Sequence, residues 1–121
     1  MKILCIDDDF AYRRYFYHLL NEQYEVTFAS TGQEGLQLSS EDRFDLIFID
    51  SALPDMASEE VCEIFRDDVF YQHTPIVFLS QHYSANELER FMSCGGDDYL
   101  CKSSTPNELK ALMEVALSEA A

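Results

Sequence analysis

A chain of 121 residues is long enough for one compact domain and leaves no room for a second. Its residues are 47% apolar and 13% aromatic, which supports a real core, while 23 Asp and Glu against 8 Lys and Arg give a net charge of −15. That balance argues against nucleic acid or an anionic membrane as a direct ligand, although one well-placed cation can still hold one phosphate. No apolar run approaches the ~20 residues of a membrane span, and no secretory signal opens the chain.

Along the chain, Ile3-Leu4-Cys5-Ile6 is the first continuous apolar run. A helical pattern follows from about Phe10 to Glu22, with Phe16, Leu19 and Leu20 on its apolar side and Tyr12 and Tyr15 flanking. Tyr24 to Ala29 alternates, as an edge strand with one wetter face does. Thr31-Gly32-Gln33-Glu34 is a capping box that opens the second helix. Leu46-Ile47-Phe48-Ile49 is again continuous, and Ser58-Glu59-Glu60 starts a helix, with Ser58 expected as its cap and acids at its positive end. Ile76-Val77-Phe78-Leu79 is the fourth strand, and Ser84-Ala85-Asn86-Glu87 is a second capping box. Tyr99-Leu100-Cys101 is a short fifth strand, followed by a third box, Thr105-Pro106-Asn107-Glu108, with Pro at the first helical position.

Continuous apolar strands that alternate with helices suit strands buried on both faces of a parallel sheet. Right-handed crossovers then put helices on both sides. The expected fold is a doubly wound α/β domain over 1–121, with five parallel strands in the order 2-1-3-4-5 and five flanking helices, flavodoxin-like in architecture.

The most informative pattern is where the strands stop. The first ends on Asp7 and Asp8, the third on Asp50, the fourth on Ser80 and the fifth on Lys102. In an open α/β sheet ligands bind outside the carboxyl ends of the strands, near the switch point. Each polar residue alone has a bland explanation, since Asp also caps helices; five together on one edge do not. Carboxylates repel by about 4 kcal/mol per pair at 4 Å and an effective dielectric of ~20, so such a cluster holds protons or recruits a cation. Oxygen ligands without nearby His or Cys favour Mg2+ over zinc. Asp7, Asp8 and Asp50 supply −3 and Lys102 supplies +1, so Mg2+ restores neutrality. This combination suits phosphoryl transfer to a carboxylate, with Ser80 placed to hydrogen-bond a phosphoryl oxygen.

Here the chain resembles the receiver domain of the two-component response-regulator family, from Lys2 to about Leu117. The resemblance rests on Ile3–Asp9, on Asp45–Met56, on Pro75–Ser80 and on Gly95–Lys102. It implies a phosphorylation-activated signalling switch, not an enzyme acting on a separate substrate. Asp50 would be the phosphoacceptor, charged by a histidine kinase or histidine phosphotransfer protein in a Mg2+-dependent reaction. Asp8 would hold the metal directly, Asp7 directly or through water, and Ala52 through its backbone carbonyl. Ser80 and Tyr99 would form the switch pair, and Lys102 would meet a phosphoryl oxygen. The fourth helix, fifth strand and fifth helix, bearing Glu87, Glu89, Arg90, Asp97, Asp98, Lys110 and Glu114, would form an output or homodimer face. The expected location is the cytoplasm.

Three features depart from the family pattern. Ser103 stands where proline follows the lysine across a cis peptide, and a cis bond before a non-proline residue costs about 2.5–4 kcal/mol; the loop is strained or runs differently. Ala57-Ser58 replaces Asp-Gly. Gln81 replaces a very small residue next to Ser80, where its length crowds the site. None removes an essential group, so a competent receiver with altered kinetics is expected.

Other features carry less. Arg13 and Arg14 lie on the first helix near the site edge, where the family docks its histidine-bearing partner. His18, His73 and His82 share no metal spacing and read as surface residues. Cys5, Cys62, Cys94 and Cys101 lack zinc or redox pairing, and Cys5 and Cys101 read as core residues in a reducing compartment. One competing function is a receiver-like binding module that works without phosphorylation. Another is a Mg2+-dependent phosphatase of the haloacid-dehalogenase type, since Asp7 and Asp9 have its spacing; no cap domain fits this length. Flavodoxin-like cofactor binding lacks the phosphate loop after the first strand.

Overall fold

The computed structural model describes residues 1–120; Ala121, the last residue of the expected domain, lies outside them. Ten elements alternate along the chain: β1 (Lys2–Ile6), α1 (Phe10–Leu20), β2 (Glu25–Ala29), α2 (Gly32–Glu41), β3 (Leu46–Asp50), α3 (Ser58–Asp67), β4 (Ile76–Ser80), α4 (Ala85–Ser93), β5 (Asp98–Cys101) and α5 (Pro106–Ala120). The five strands form one parallel sheet in the order β2-β1-β3-β4-β5, as the sequence implies. The order reverses between β1 and β3, which opens a crevice at their carboxyl ends.

Two apolar layers enclose the sheet. On one face Ile3, Cys5, Leu46, Phe48, Val77, Leu79 and Leu100 pack against Tyr12, Phe16 and Leu20 of α1 and Leu109, Met113 and Leu117 of α5. On the other, Leu4, Ile6, Ile47, Ile49, Ile76 and Phe78 meet α3 through Val61, Cys62 and Phe65 and α4 through Phe91. Successive residues of β3 and β4 serve opposite layers, which is why these runs are apolar throughout. β2 takes an edge, but its burial does not alternate: Val26, Thr27 and Phe28 are all half-buried.

Helix α2 approaches β1 closely because Gly35 has no side chain; a Cβ there would stand 2.4 Å from Ile6 Cδ1. Helix α1 stops at Leu20, two residues before the expected end, with Asn21 as its C-cap. Asp9 caps its start by accepting from the Tyr12 N–H at 3.2 Å. The expectation for α3 needs correction: Ala57 occupies the cap position with no side-chain bond, and Ser58 is the first helical residue, buried, with its hydroxyl donating to the Asp50 carbonyl. The β3–α3 connection is thereby tied to the strand it leaves. Asp55 in that connection also accepts from the Gly32 and Gln33 N–H groups at 2.9 Å each, capping α2 from outside its own segment.

Candidate functional site

The carboxyl ends of β1, β3 and β5 bring Asp7, Asp50 and Lys102 together. Lys102 Nζ lies 2.8 Å from Asp7 Oδ2, 2.9 Å from Asp50 Oδ1 and 3.5 Å from Asp9 Oδ2. Its side chain is 6% exposed and Asp7 is fully buried. Asp8 is exposed at the rim, yet it offers a carboxylate oxygen within 4.8 Å of those of Asp7 and Asp50.

The electrostatics follow from this crowding. Burial raises the pKa of Asp7, opposed by Lys102 and by the Asp9 N–H, which donates to Asp7 Oδ1 at 2.9 Å. Burial works against the Lys102 charge, but the carboxylates of Asp50 and Asp7 in contact with it outweigh that, so its pKa is raised and the ammonium stays protonated. The backbone N–H of Tyr12 holds the Asp9 carboxyl below the usual range, with Lys102 adding to the effect.

The site fits a hard divalent cation on two observations. Three carboxylate oxygens converge with one ammonium among them, leaving negative charge uncompensated. Asp7 Oδ2 is buried and accepts no hydrogen bond; its 2.8 Å contact to Lys102 is an ion pair without hydrogen-bond alignment. An oxygen in that condition has capacity for a metal or a metal-bound water.

The remaining residues singled out from sequence fall into distinct places. The Ala52 N–H donates to Asp50 Oδ2 at 3.2 Å, so this backbone lies beside the carboxylate. Ser80 is buried, but its hydroxyl makes no hydrogen bond to Asp7, Asp50 or Lys102; it reaches Glu87 Oε1 at 2.8 Å and the His82 carbonyl at 2.9 Å. The Tyr99 hydroxyl is 2.6 Å from the same Glu87 oxygen. The peptide after Lys102 is trans, as are all others among the described residues, so the strained alternative for Ser103 does not arise. The Lys102 N–H donates to the Ser80 carbonyl at 2.8 Å, and the Ser104 N–H closes a turn on Cys101 at 3.0 Å. Gln81 does crowd the rim, since its Nε2 donates to Asp9 Oδ2 at 3.2 Å.

Arg13 is half-buried, donating to Ser30 Oγ at 2.8 Å and lying over the Phe28 ring, whereas Arg14 is exposed. The three histidines are exposed. Cys5 is fully buried, and Cys101 only half-buried. Of the charged residues assigned to the output face, Arg90 lies 3.8 Å from Glu59 of α3, Asp97 pairs with Arg66 at 2.7 Å, and Glu87 turns toward Ser80.

Three residues near the site lie outside the set that the receiver resemblance assigns to it. Asp9, which the sequence raises only by its phosphatase-like spacing from Asp7, joins Lys102 and Gln81; its signal is the third acid of an Asp run directly before a helix. Tyr12 was read only as packing, but its ring centroid lies 5.0 Å from Lys102 Nζ. Glu87 was read only as part of a capping box and an exposed face.

Comparison with known proteins bears on the family and the fold. The profile described as response regulator receiver domain matches residues 3–114. The transcriptional regulatory protein SrrA of Staphylococcus aureus is 34% identical over 110 residues, covering 89% of this chain and 44% of that protein. The chain thus spans less than half the length of the curated relatives it matches. Among solved structures, the Vibrio cholerae chemotaxis protein CheY4 aligns with TM-score 0.90 and 30% identity, covering 96% of this chain and 98% of that one. A putative response regulator from Chloroflexus aurantiacus aligns with TM-score 0.92 and 26% identity, covering 97% of each chain.

Proposed function

This chain belongs to the response-regulator receiver family, and we propose that it is a phosphorylation-activated switch with Asp50 as phosphoacceptor. Receiver domains are signalling domains that work with histidine kinases and phosphotransfer proteins, and they use Mg2+ at an acidic pocket. The observation that carries the assignment to Asp50 is its position, bounded by Lys102 on one oxygen and by the Ala52 N–H on the other. In the transfer, an Asp50 oxygen attacks phosphorus in line, an oxygen–phosphorus bond forms, and the phosphorus–nitrogen bond to the donor imidazole breaks.

Asp7, Asp8, Asp50 and the Ala52 carbonyl are the ligands we assign to Mg2+. Bound there, the ion supplies charge neutralisation for the phosphoryl oxygens. Lys102 keeps its proton and its place through two carboxylates, so it is preorganised to pair with a phosphoryl oxygen. Ser80 must leave Glu87 to reach the phosphoryl group, and Tyr99 shares that anchor; this couples the pair that reports the state. The location we assign is the cytoplasm; no helix among the described residues is long and apolar enough to cross a membrane. The α4–β5–α5 face is the surface we assign to the output or a second copy, and the chain's acidity speaks against direct nucleic-acid contact.

Intact mass after incubation with Mg2+ and acetyl phosphate tests the reading. A single hydroxylamine-labile phosphoryl adduct is expected, absent from Asp50→Asn and from samples with EDTA. No adduct, together with no spectral response to Mg2+ and beryllofluoride, would turn the reading to a binding module that works without phosphorylation.

A further inference from the structure

Three helices open with the same four-residue signature; at α2 the Glu34 carboxylate stays local, accepting from the Ser30 N–H at 2.7 Å, whereas α5 and α4 differ. At α5 the box closes: Glu108 Oε1 accepts from the Thr105 N–H at 3.3 Å and from Thr105 Oγ1 at 3.0 Å. At α4 only half of it forms. Ser84 Oγ accepts from the Glu87 N–H at 3.3 Å, but the Glu87 carboxylate does not return the bond. Instead its Oε1 accepts from Ser80 Oγ at 2.8 Å and from Tyr99 OH at 2.6 Å. The Ser84 N–H left open is taken by the Tyr99 hydroxyl oxygen at 3.1 Å. A carboxylate that local sequence assigns to a helix cap is thus diverted to the two side chains of the switch.

Each of those hydroxyls has one proton and two acceptors within reach. The alternative to Glu87 is the His82 carbonyl, at 2.9 Å from Ser80 and 3.2 Å from Tyr99. The carboxylate is nearer to both and is charged, so it is the stronger acceptor. Ser80 is 3% exposed, and water cannot replace the bond that it gives up on turning to Asp50.

We propose that Glu87 is a latch, a positioning residue whose single carboxylate oxygen holds Ser80 and Tyr99 in the unphosphorylated arrangement and sets how readily the switch turns. The inference rests on the switch reading above. A ligand shifts a two-state equilibrium only through its differential affinity, and its apparent affinity falls with the fraction of competent protein. Removing the latch raises that fraction, so it strengthens binding at Asp50 although Glu87 touches neither Asp50 nor Lys102. A merely structural residue has the opposite effect, because its loss weakens binding.

The test titrates Mg2+ with beryllofluoride into wild type, Glu87→Ala and Glu87→Gln, followed by NMR signals of the Tyr99 ring and the Ser84 amide. Glu87→Ala is expected to bind about tenfold more tightly, within the usual range of coupling energies. Glu87→Gln, which keeps an acceptor but no charge, falls between. Before any ligand is added, the Tyr99 and Ser84 signals of Glu87→Ala should already lie toward the wild type's bound positions. Unchanged or weaker binding by folded variants, or unmoved Tyr99 and Ser84 signals, overturns the latch. The Gln variant preserves side-chain shape and keeps the question open to measurement if Ala unfolds the helix start. Wild type that ignores beryllofluoride refutes the switch reading, and the latch, which rests on it, falls with it; a wild type that responds while the variants bind no more tightly overturns the latch alone.

Discussion

The Lys102 ammonium lies 2.9 Å from Asp50 Oδ1 with a trans peptide on its carboxyl side. Delivery of the charge does not depend on the proline that usually follows. The strand itself does the placing: the Lys102 N–H is bonded to Ser80 of β4, and the side chain then runs past Tyr12 into the carboxylates. Loss of a partner in so buried a pair is normally severe, at about 3–5 kcal/mol. Asp7 is the exception, because it is the surplus charge.

Asp7→Asn should therefore stabilise the metal-free protein. Burial raises the Asp7 pKa. As pH rises from below the ordinary carboxylate range, the unfolded chain loses this proton first, and stability falls until the folded group has also titrated. In EDTA at pH 7 the variant should gain about 1 kcal/mol in urea unfolding, the lower end for replacement of buried ionic groups. The gain should shrink as pH is lowered through the carboxylate range. A variant less stable than wild type at pH 7 contradicts the assignment of surplus charge.

Mg2+ should raise the melting temperature of wild type and not that of Asp8→Asn. At a hundredfold excess over its dissociation constant, a ligand specific to the folded state adds about 2.7 kcal/mol. Asp8 is exposed, so its neutral variant should stay within about 0.5 kcal/mol of wild type in EDTA. Calorimetry with and without metal reads both effects. An equal Mg2+ response in the two proteins removes Asp8 from the ligand set.

Gln81→Ala should speed phosphorylation by acetyl phosphate several-fold. The Gln81 amide bridges to Asp9 across the rim at 3.2 Å, beside Lys102. Removing it opens the rim without touching Asp50. The rate of adduct formation, followed by intact mass, checks this; a slower variant shows that the amide helps the reaction and does not crowd it.

Tyr71→Phe should cost about 1–3 kcal/mol, the penalty for stranding buried polar groups. The ring is 1% exposed, and its hydroxyl accepts from the Phe44 N–H at 3.3 Å while lying 2.9 Å from the carbonyls of Ser39 and Asp42. It therefore satisfies the turn between α2 and β3 from the connection between α3 and β4. Urea unfolding reads the loss, and acetyl phosphate labelling should be unchanged, since the residue serves the opposite end of the sheet.

Local pattern carried a great deal here. Continuous runs such as Leu46–Ile49 and Ile76–Leu79 suit strands buried on both faces, and Thr105-Pro106-Asn107-Glu108 is a helix-start signal; the structure has both. These are statements about neighbours in the chain, where burial and capping act over a few residues. Five strands and right-handed crossovers then narrow the topology, and the topology lines up the strand ends. Asp7, Asp50 and Lys102 were legible for that reason.

What the sequence could not decide is how side chains with several open partners choose among them. Ser58 has the chemistry of a cap, yet it is buried at the first helical position and bonds to the Asp50 carbonyl. Asp55 caps a helix from another segment. Glu87 keeps its backbone bond to Ser84, but its carboxylate goes to Ser80 and Tyr99. In each case the winner is set by which groups packing brings within 3 Å. The chain by itself determined the strands, the helices and the polar edge where they end; only the packed fold decided which hydroxyls and carboxylates on that edge hold one another.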